Sequence, residues 1–346
     1  MHEALPLAAA ASPARHIDRL GLAMRASHVL AALFVIFCLL FAFLAWRAGD
    51  VFYLRLATEA LIFAGLALSV DILLGYTGLL SLGQALYFGL GAYVSALALR
   101  AGISFGGTLA IVFVISIATS LIGGVIVNRV RGVYFALITF GMAQVVAKVV
   151  YNTRELGASD GLIGVPIVPI DLGFVSTSSA SPAGFFLFTL VFITLIYLAV
   201  AYLLDTPFGR ILIALKANER RVPFLGYRPF TVRLVAYVIA GVTAALAGAL
   251  YPMLRGFVSP ELLFFTTSGN AVITVVTGGA GTLIGPLYGS LLLTALRSFV
   301  GSWTTHHLMV IGVLFMAVVV FFPKGLVGFV RIRLEHLFER LLEDRR

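Results

Sequence analysis

Hydrophobic and polar positions divide the chain into long apolar stretches at about 26–46, 52–74, 84–99, 104–127, 132–150, 183–204, 234–253, 262–277, 283–300 and 303–322. A helix needs roughly 20 apolar residues to cross a bilayer's hydrocarbon, where water cannot satisfy its backbone. The pattern predicts an all-α integral membrane protein of about ten transmembrane helices. Three stretches crowd between 262 and 322, so some of these helices must be short or glycine-interrupted.

The polar positions between the stretches orient them. The arm 1–25 carries Arg15, Arg19 and Arg25, and 128–131 carries Arg129 and Arg131. Residues 205–233 hold Arg210, Lys216, Arg220, Arg221, Arg228 and Arg233 against Asp205 and Glu219. In 151–182 the balance reverses, with Arg154 facing Glu155, Asp160 and Asp171. Lys and Arg mark the cytoplasmic side. The expected division is a cytoplasmic arm 1–25, a transmembrane region 26–322 with loop 205–231 inside and loop 151–182 outside, and a cytoplasmic tail 323–346. The 21-residue apolar stretch after the arm is long for a signal sequence and is expected to remain as the first span.

Composition agrees: of 346 residues, 61% are hydrophobic and 11% charged, against about a quarter charged in soluble domains. The net charge of +9 sits beside apolar runs, which fits a membrane surface and not nucleic acid. The single cysteine, Cys38, rules out a disulfide framework. There is no phosphate-binding G-x-x-x-x-G-K-[ST], no carboxylate pair and no nucleophile elbow. His306 and His307 are adjacent and would diverge by about 100° on a helix, which suits a metal poorly. No cofactor or metal is expected. The charges Arg55, Glu59, Asp71, Lys148 and Arg297 lie near span ends, where long side chains reach the headgroups.

Two glycine-rich interruptions stand out. "GYTGLLSLGQ" offers Gly75, Thr77, Gly78, Ser81, Gly83 and Gln84; "TGGAGT" offers Thr277, Gly278, Gly279, Gly281 and Thr282. Irregular backbone at membrane depth is tolerated where it lines a protein-buried or aqueous cavity, and interrupted segments in both halves of a transporter mark its central route. The two stretches align loosely, as an internal repeat would. The alternative is tight packing, which also explains Ala240, Ala244 and Gly248 at spacing four, and Gly285 with Gly289.

The loop "DTPFGRILIALKANERRVPFLGYRPFT" (205–231) places Ile211, Leu212 and Leu215 on one side of a helix opened by Pro207 and stopped by Gly226 with Pro229. Such a helix either lies on the headgroups or docks into a partner's groove. The loop resembles the cytoplasmic loop of LivM-type permeases of high-affinity branched-chain amino acid ABC importers. "GYTGLLSLGQALYFGLGAY" (75–93), "RGVYFALITFGMAQVV" (131–146), "SDGLIGVP" (159–166), "AYVIAGVTAALAGALY" (236–251), "GGAGTLIGPLYG" (278–289) and "FFPKGLVG" (321–328) continue the likeness in that family's order. The resemblance implies a subunit of a bacterial inner-membrane importer without chemistry of its own. Its implied partners are a second homologous permease, two ATP-binding subunits and a soluble substrate-binding protein. It further implies that Gly209, Arg210, Ala214, Asn218, Glu219 and Gly226 couple to the ATPases. Gln84 stands where the family commonly has histidine, and Pro223 interrupts a stretch that is usually alanine-rich. "FLGYR" is similar to urea and short-amide permeases, the alternative substrate class. An ion-coupled carrier would show more membrane-embedded acids and no docking loop, and a membrane enzyme would show a clustered constellation.

If an amino acid passes the breaks, it needs donors for its carboxylate and acceptors for its ammonium. Open backbone amides and carbonyls with Thr77, Ser81 and Gln84 can supply both without a fixed charge.

Overall fold

The computed structural model describes residues 13–166, 169–171, 176–178, 181–303, 307–321, 325–330 and 333. Its helices are α1 (Pro13–Ala48), α2 (Val51–Asp71), α3 (Gln84–Arg100), α4 (Phe105–Val127), α5 (Val133–Asn152), α6 (Pro182–Asp205), α7 (Pro207–Ala217), α8 (Pro229–Gly248), α9 (Tyr251–Arg255), α10 (Phe265–Gly278), α11 (Gly285–Trp303) and α12 (His307–Phe321). Each apolar stretch falls on a helix, with α7 and α9 added between stretches. Among the described residues, six helical stretches are long and apolar enough to cross a membrane: Ser27–Ala48, Val51–Thr77, Phe105–Val127, Val133–Asn152, Pro182–Asp205 and Pro229–Arg255. At 17 and 14 residues, α3 and α10 are short, as the crowding required. Residues 13–25, expected as part of an arm, begin α1 instead. Pro13 is tolerated at a helix start, and no proline follows before Ala48.

Among the described residues, four short strands accompany the helices. β1 (Leu162–Ile163) pairs antiparallel with β4 (Phe257–Val258), and β2 (Pro169–Asp171) with β3 (Ser176–Ser178). The first pair ties the loop after α5 to the connection between α9 and α10, helped by Val165 N donating to Gly256 O at 3.0 Å.

At the centre, α2 runs antiparallel to α8 and α9: Glu59 meets Arg255 of α9 at 2.6 Å, while Gly65 faces Ala247 of α8 further along. Small residues permit the approach. Gly91 lies on the Ala245 backbone, Gly248 on the Phe88 backbone, and Gly241 on Ser120. In lipid, where apolar burial does not drive helices together, such close contact and interhelical hydrogen bonds carry the packing. Ser95 donates to Ala249 O at 2.8 Å, and Ser290 to Ala60 O at 2.6 Å. Large apolar residues on the periphery, Ile36 on α1, Ile122 on α4 and Val191 on α6 among them, point outward, as a hydrocarbon environment allows.

The two interruptions differ. At the first, α2 loosens into a π-helical turn, Ile72–Thr77, closed by Gly78 at φ +73°. Residues 78–83 then leave Lys216 of α7 and reach Thr139, midway along α5, where Gly83 packs on the Thr139 carbonyl and Leu82 N donates to its hydroxyl at 3.1 Å. There α3 begins. At the second, Gly279 (φ +118°), Gly281 (φ +80°) and Leu283 (φ +59°) turn α10 tightly into α11 at the α7 end of the bundle.

The stretches aligned by sequence therefore do not occupy equivalent places. The start of α3 instead meets the start of α10. Ala85 N, at the start of α3, donates to Ser268 Oγ, near the start of α10, at 2.9 Å. The alignment followed glycine density, and the glycines at the second interruption serve a hairpin: Gly278 abuts the Gly285 carbonyl, and Gly289 the Thr274 carbonyl.

Candidate functional site

The loop between α6 and α8 builds a surface. Thr206 is extended, and Pro207 opens α7. Gly209 faces the Leu204 backbone so closely that a Cβ would lie 2.5 Å from its carbonyl carbon and 2.6 Å from its Cα. Ile211, Leu212 and Leu215 are buried as the spacing predicted. The helix does not run on to Gly226, however. Asn218 is extended, and its side chain accepts from Arg220 N at 3.0 Å, starting a separate 3₁₀ segment, Glu219–Leu225. Asn218, Glu219 and Gly226 thus lie beyond the helix that carries Gly209, Arg210 and Ala214. Proline at 223 and left-handed Gly226 (φ +82°) shape that segment.

Glu219 holds the segment to the bundle. Its carboxylate is 3.2 Å from Arg131, ahead of α5, and 3.4 Å from Arg233 on α8. Arg233 is buried and also donates to Asn128 O at 3.3 Å, so one acid gathers two arginines and, through the second, the residues that follow α4. Outward, Ala214, Ala217, Asn218, Arg221, Phe224 and Leu225 line an open groove of about 760 Å³. Phe224 is 89% exposed. The sequence reading missed Phe224 and Leu225. The available signal was a bulky apolar pair just before a turn glycine, inside a basic loop.

The residues of the interruptions lie inside the subunit. Thr77, Ser81, Gln84, Thr277 and Thr282 are all buried. Thr77 donates to Leu73 O at 2.6 Å, Thr277 to Ile273 O at 2.8 Å, and Thr282 to Gly279 O at 2.7 Å. Gln84 Nε2 donates to Ser81 Oγ at 3.3 Å, and its Oε1 has no partner. Gly75, Gly78, Gly83, Gly278, Gly279 and Gly281 all sit at close approaches or turns. The structure joins Gly75 to Gly281 and Gly78 to α7, but it keeps Ser81 and Gln84 apart from Thr277 and Thr282.

Asp71, expected to snorkel at a span end, is fully buried. Its short side chain cannot reach headgroups, and it accepts instead from Gly281 N at 2.6 Å and Leu283 N at 3.1 Å. The other intramembrane charges behave as span-end groups more closely: Glu59 pairs with Arg255, and Lys148 lies 5.1 Å over the Tyr151 ring. Arg297 reaches a small polar cavity of about 70 Å³ with Thr267, Asn270, Thr274, Ser290 and Thr294. A larger cleft of about 860 Å³ between α1, α2 and α11 is lined mainly by aromatic and aliphatic side chains such as Phe37, Phe52 and Leu291. Among the described residues, no group of three His, Cys, Asp or Glu side chains could hold a metal ion.

Comparison with known proteins bears on this arrangement. Residues 52–319 match a family described as branched-chain amino acid transport system / permease component. The chain is 28% identical over 302 residues to the high-affinity branched-chain amino acid transport system permease protein LivM of Salmonella typhimurium, covering 81% of this chain and 71% of that protein. It is 27% identical over 267 residues to the autoinducer 2 import system permease protein LsrC of Photorhabdus laumondii, covering 71% and 74%. Among solved structures, an inward-facing metal-chelate type ABC transporter aligns at a TM-score of 0.45 and 18% identity, over 86% of this chain and 99% of that one.

Proposed function

Because this chain belongs to the family of branched-chain amino acid transport system permease components, we propose that it is the membrane subunit of an ATP-driven importer of those amino acids. It is a multi-pass membrane protein that works with other transporter subunits. The observation that carries the reading is the match over 52–319, which takes in every helix from α2 to α11 and most of α12. It includes α7, whose exposed groove would otherwise be an apolar liability. In this reading the chain sits in the bacterial inner membrane and pairs with a second homologous permease. Two ATP-binding subunits dock on α7 and the segment after it, and a soluble binding protein delivers the substrate. The route passes the meeting point of α3 and α10, where Ser81 and Gln84 lie, while Gly278–Thr282 belongs to the α7 side of the passage. Half-helix starts at mid-membrane favour an anionic group such as a carboxylate.

The test is uptake of radiolabelled leucine by cells lacking their own importers but expressing this chain with its partner subunits. High-affinity leucine uptake, suppressed by excess isoleucine or valine, is the expected result. Uptake of urea or a short amide that leucine does not suppress would reverse the substrate assignment. The LsrC relative lies at similar identity, so autoinducer 2 belongs among the competitors.

Orientation gives a second expected outcome. In a Cys38→Ser background, Ser159→Cys should react with an impermeant maleimide from outside intact cells. Phe224→Cys should react only in inverted vesicles. The reverse pattern would turn the whole assignment over.

A further inference from the structure

A chain of contacts leads from α7 into both interruptions. Lys216 leaves the exposed side of α7, its stem lies against Gly78, and its ammonium donates to the Gly75 carbonyl at 2.7 Å. That carbonyl belongs to the π-helical turn that follows α2, the negative end of the helical run, where a cation is favoured. Gly75 has no slack on its other side: a Cβ there would meet an Asp71 carboxylate oxygen, and the Gly281 nitrogen at 2.5 Å.

Asp71 then grips the turn between α10 and α11 with both oxygens, one to Gly281 N at 2.6 Å and one to Leu283 N at 3.1 Å. Leu283 holds φ +59° without glycine's freedom, a conformation that persists only where its surroundings over-determine it. Behind the turn, Gly325 packs on Gly279, so the turn is held from two sides.

We infer that Lys216 and Asp71 are positioning residues that transmit displacement of α7 to the 279–283 turn, and through it to the ends of α10 and α11. The inference rests on the reading of α7 as the docking helix. Its physical content is a short mechanical path: one ammonium–carbonyl bond, one glycine contact without free space, and one carboxylate bonded to two backbone amides. Every link is close-packed or hydrogen-bonded, so displacement of α7 bears on the turn through these contacts.

The experiment uses the complete transporter, reconstituted in liposomes with accessible α7 surfaces, in a Cys38→Ser background. Ile213→Cys reports on α7 and Ala280→Cys on the turn, both being exposed. The rate of labelling by an impermeant maleimide is measured with and without ATP plus vanadate. Both reporters should respond to nucleotide when Lys216 and Asp71 are intact. In Lys216→Ala, and separately in Asp71→Asn, Ile213→Cys should keep its response and Ala280→Cys should lose it. Substrate moved per ATP hydrolysed should fall about tenfold, the size of a single coupling contact. Lys216→Arg should recover most of it, and the double variant should do no worse than the poorer single one. A nucleotide response at Ala280→Cys that survives Lys216→Ala, or single-variant losses that multiply, would overturn the inference. An Ile213→Cys reporter blind to nucleotide would instead overturn the docking reading, and the inference with it. Lys216 is on the exposed side of α7, so its variant tests the path even if Asp71→Asn fails to assemble.

Discussion

Replacing Gly209 with alanine should abolish uptake while leaving the protein inserted in the membrane. A methyl group there meets the carbonyl carbon and Cα of Leu204 at 2.5 and 2.6 Å. These are backbone atoms of the last turn of α6, with no flexible end to swing away. Relief requires α7 to pivot off α6, which also lifts Ile211, Leu212 and Leu215 from their buried seats. Overpacking of this kind costs about 1–3 kcal/mol, modest for a bundle this size but concentrated in the surface proposed to dock the ATP-binding subunits. Uptake with membrane levels matched by immunoblot, and copurification of the ATP-binding subunits, provide the check. At least a tenfold loss of uptake, about 1.4 kcal/mol, is expected. Normal uptake with normal copurification would remove α7 from the docking surface.

Glu219→Ala should have the second large effect, and a different one. Its carboxylate faces Arg131 and Arg233, whose side chains are 66% and 6% exposed. Arg131 can turn to water; Arg233 cannot, and would keep a charge inside the bundle with a single bond to Asn128 O. Breaking a fully buried pair costs about 3–5 kcal/mol. Glu219 retains some access to solvent, so the expected loss is smaller, about 1–3 kcal/mol. In detergent, the unfolding midpoint of Glu219→Ala should drop by several degrees, and raised salt should narrow the gap to wild type. Glu219→Gln, which keeps the shape, should fall between. An Arg233→Met, Glu219→Ala double variant should recover stability, because it removes the stranded charge. Failure to recover would mean that the loss of stability does not come from the stranded charge of Arg233.

The helices were readable in the sequence because bilayer thickness imposes a length on every apolar run, and each run became a helix. Depth was not readable in the same way. A glycine-rich run has the same composition whether it carries the chain from one helix to the side of another, as 78–83 does beside Thr139, or lets a hairpin close, as 278–285 does. Only neighbouring backbone distinguishes them. Asp71 was misplaced for a related reason: an acid near a span end is ordinary, and its amide donors are 210 and 212 residues away in sequence. On α7, the apolar spacing located the buried face. The end of the helix was missed because Asn218 stops it through its own side chain and an extended backbone, not through the glycine and proline that follow. Phe224 and Leu225 escaped notice because an exposed apolar pair in a polar loop has no periodicity.

The long separation between Asp71 and its amide donors also has a consequence for how the protein is made. A ribosome adding about 5–20 residues per second needs roughly 10–40 s between Asp71 and Gly281. During that interval α2 is in the membrane with an acid whose partners do not yet exist. The chain up to α10 can therefore assemble only provisionally around α2. Its closure waits for α10 and α11, helices too short or too polar to hold a place alone, which must enter as a hairpin against it. A nascent chain stalled before residue 281 leaves the Asp71 carboxylate without the two backbone amides that hold it in the finished fold.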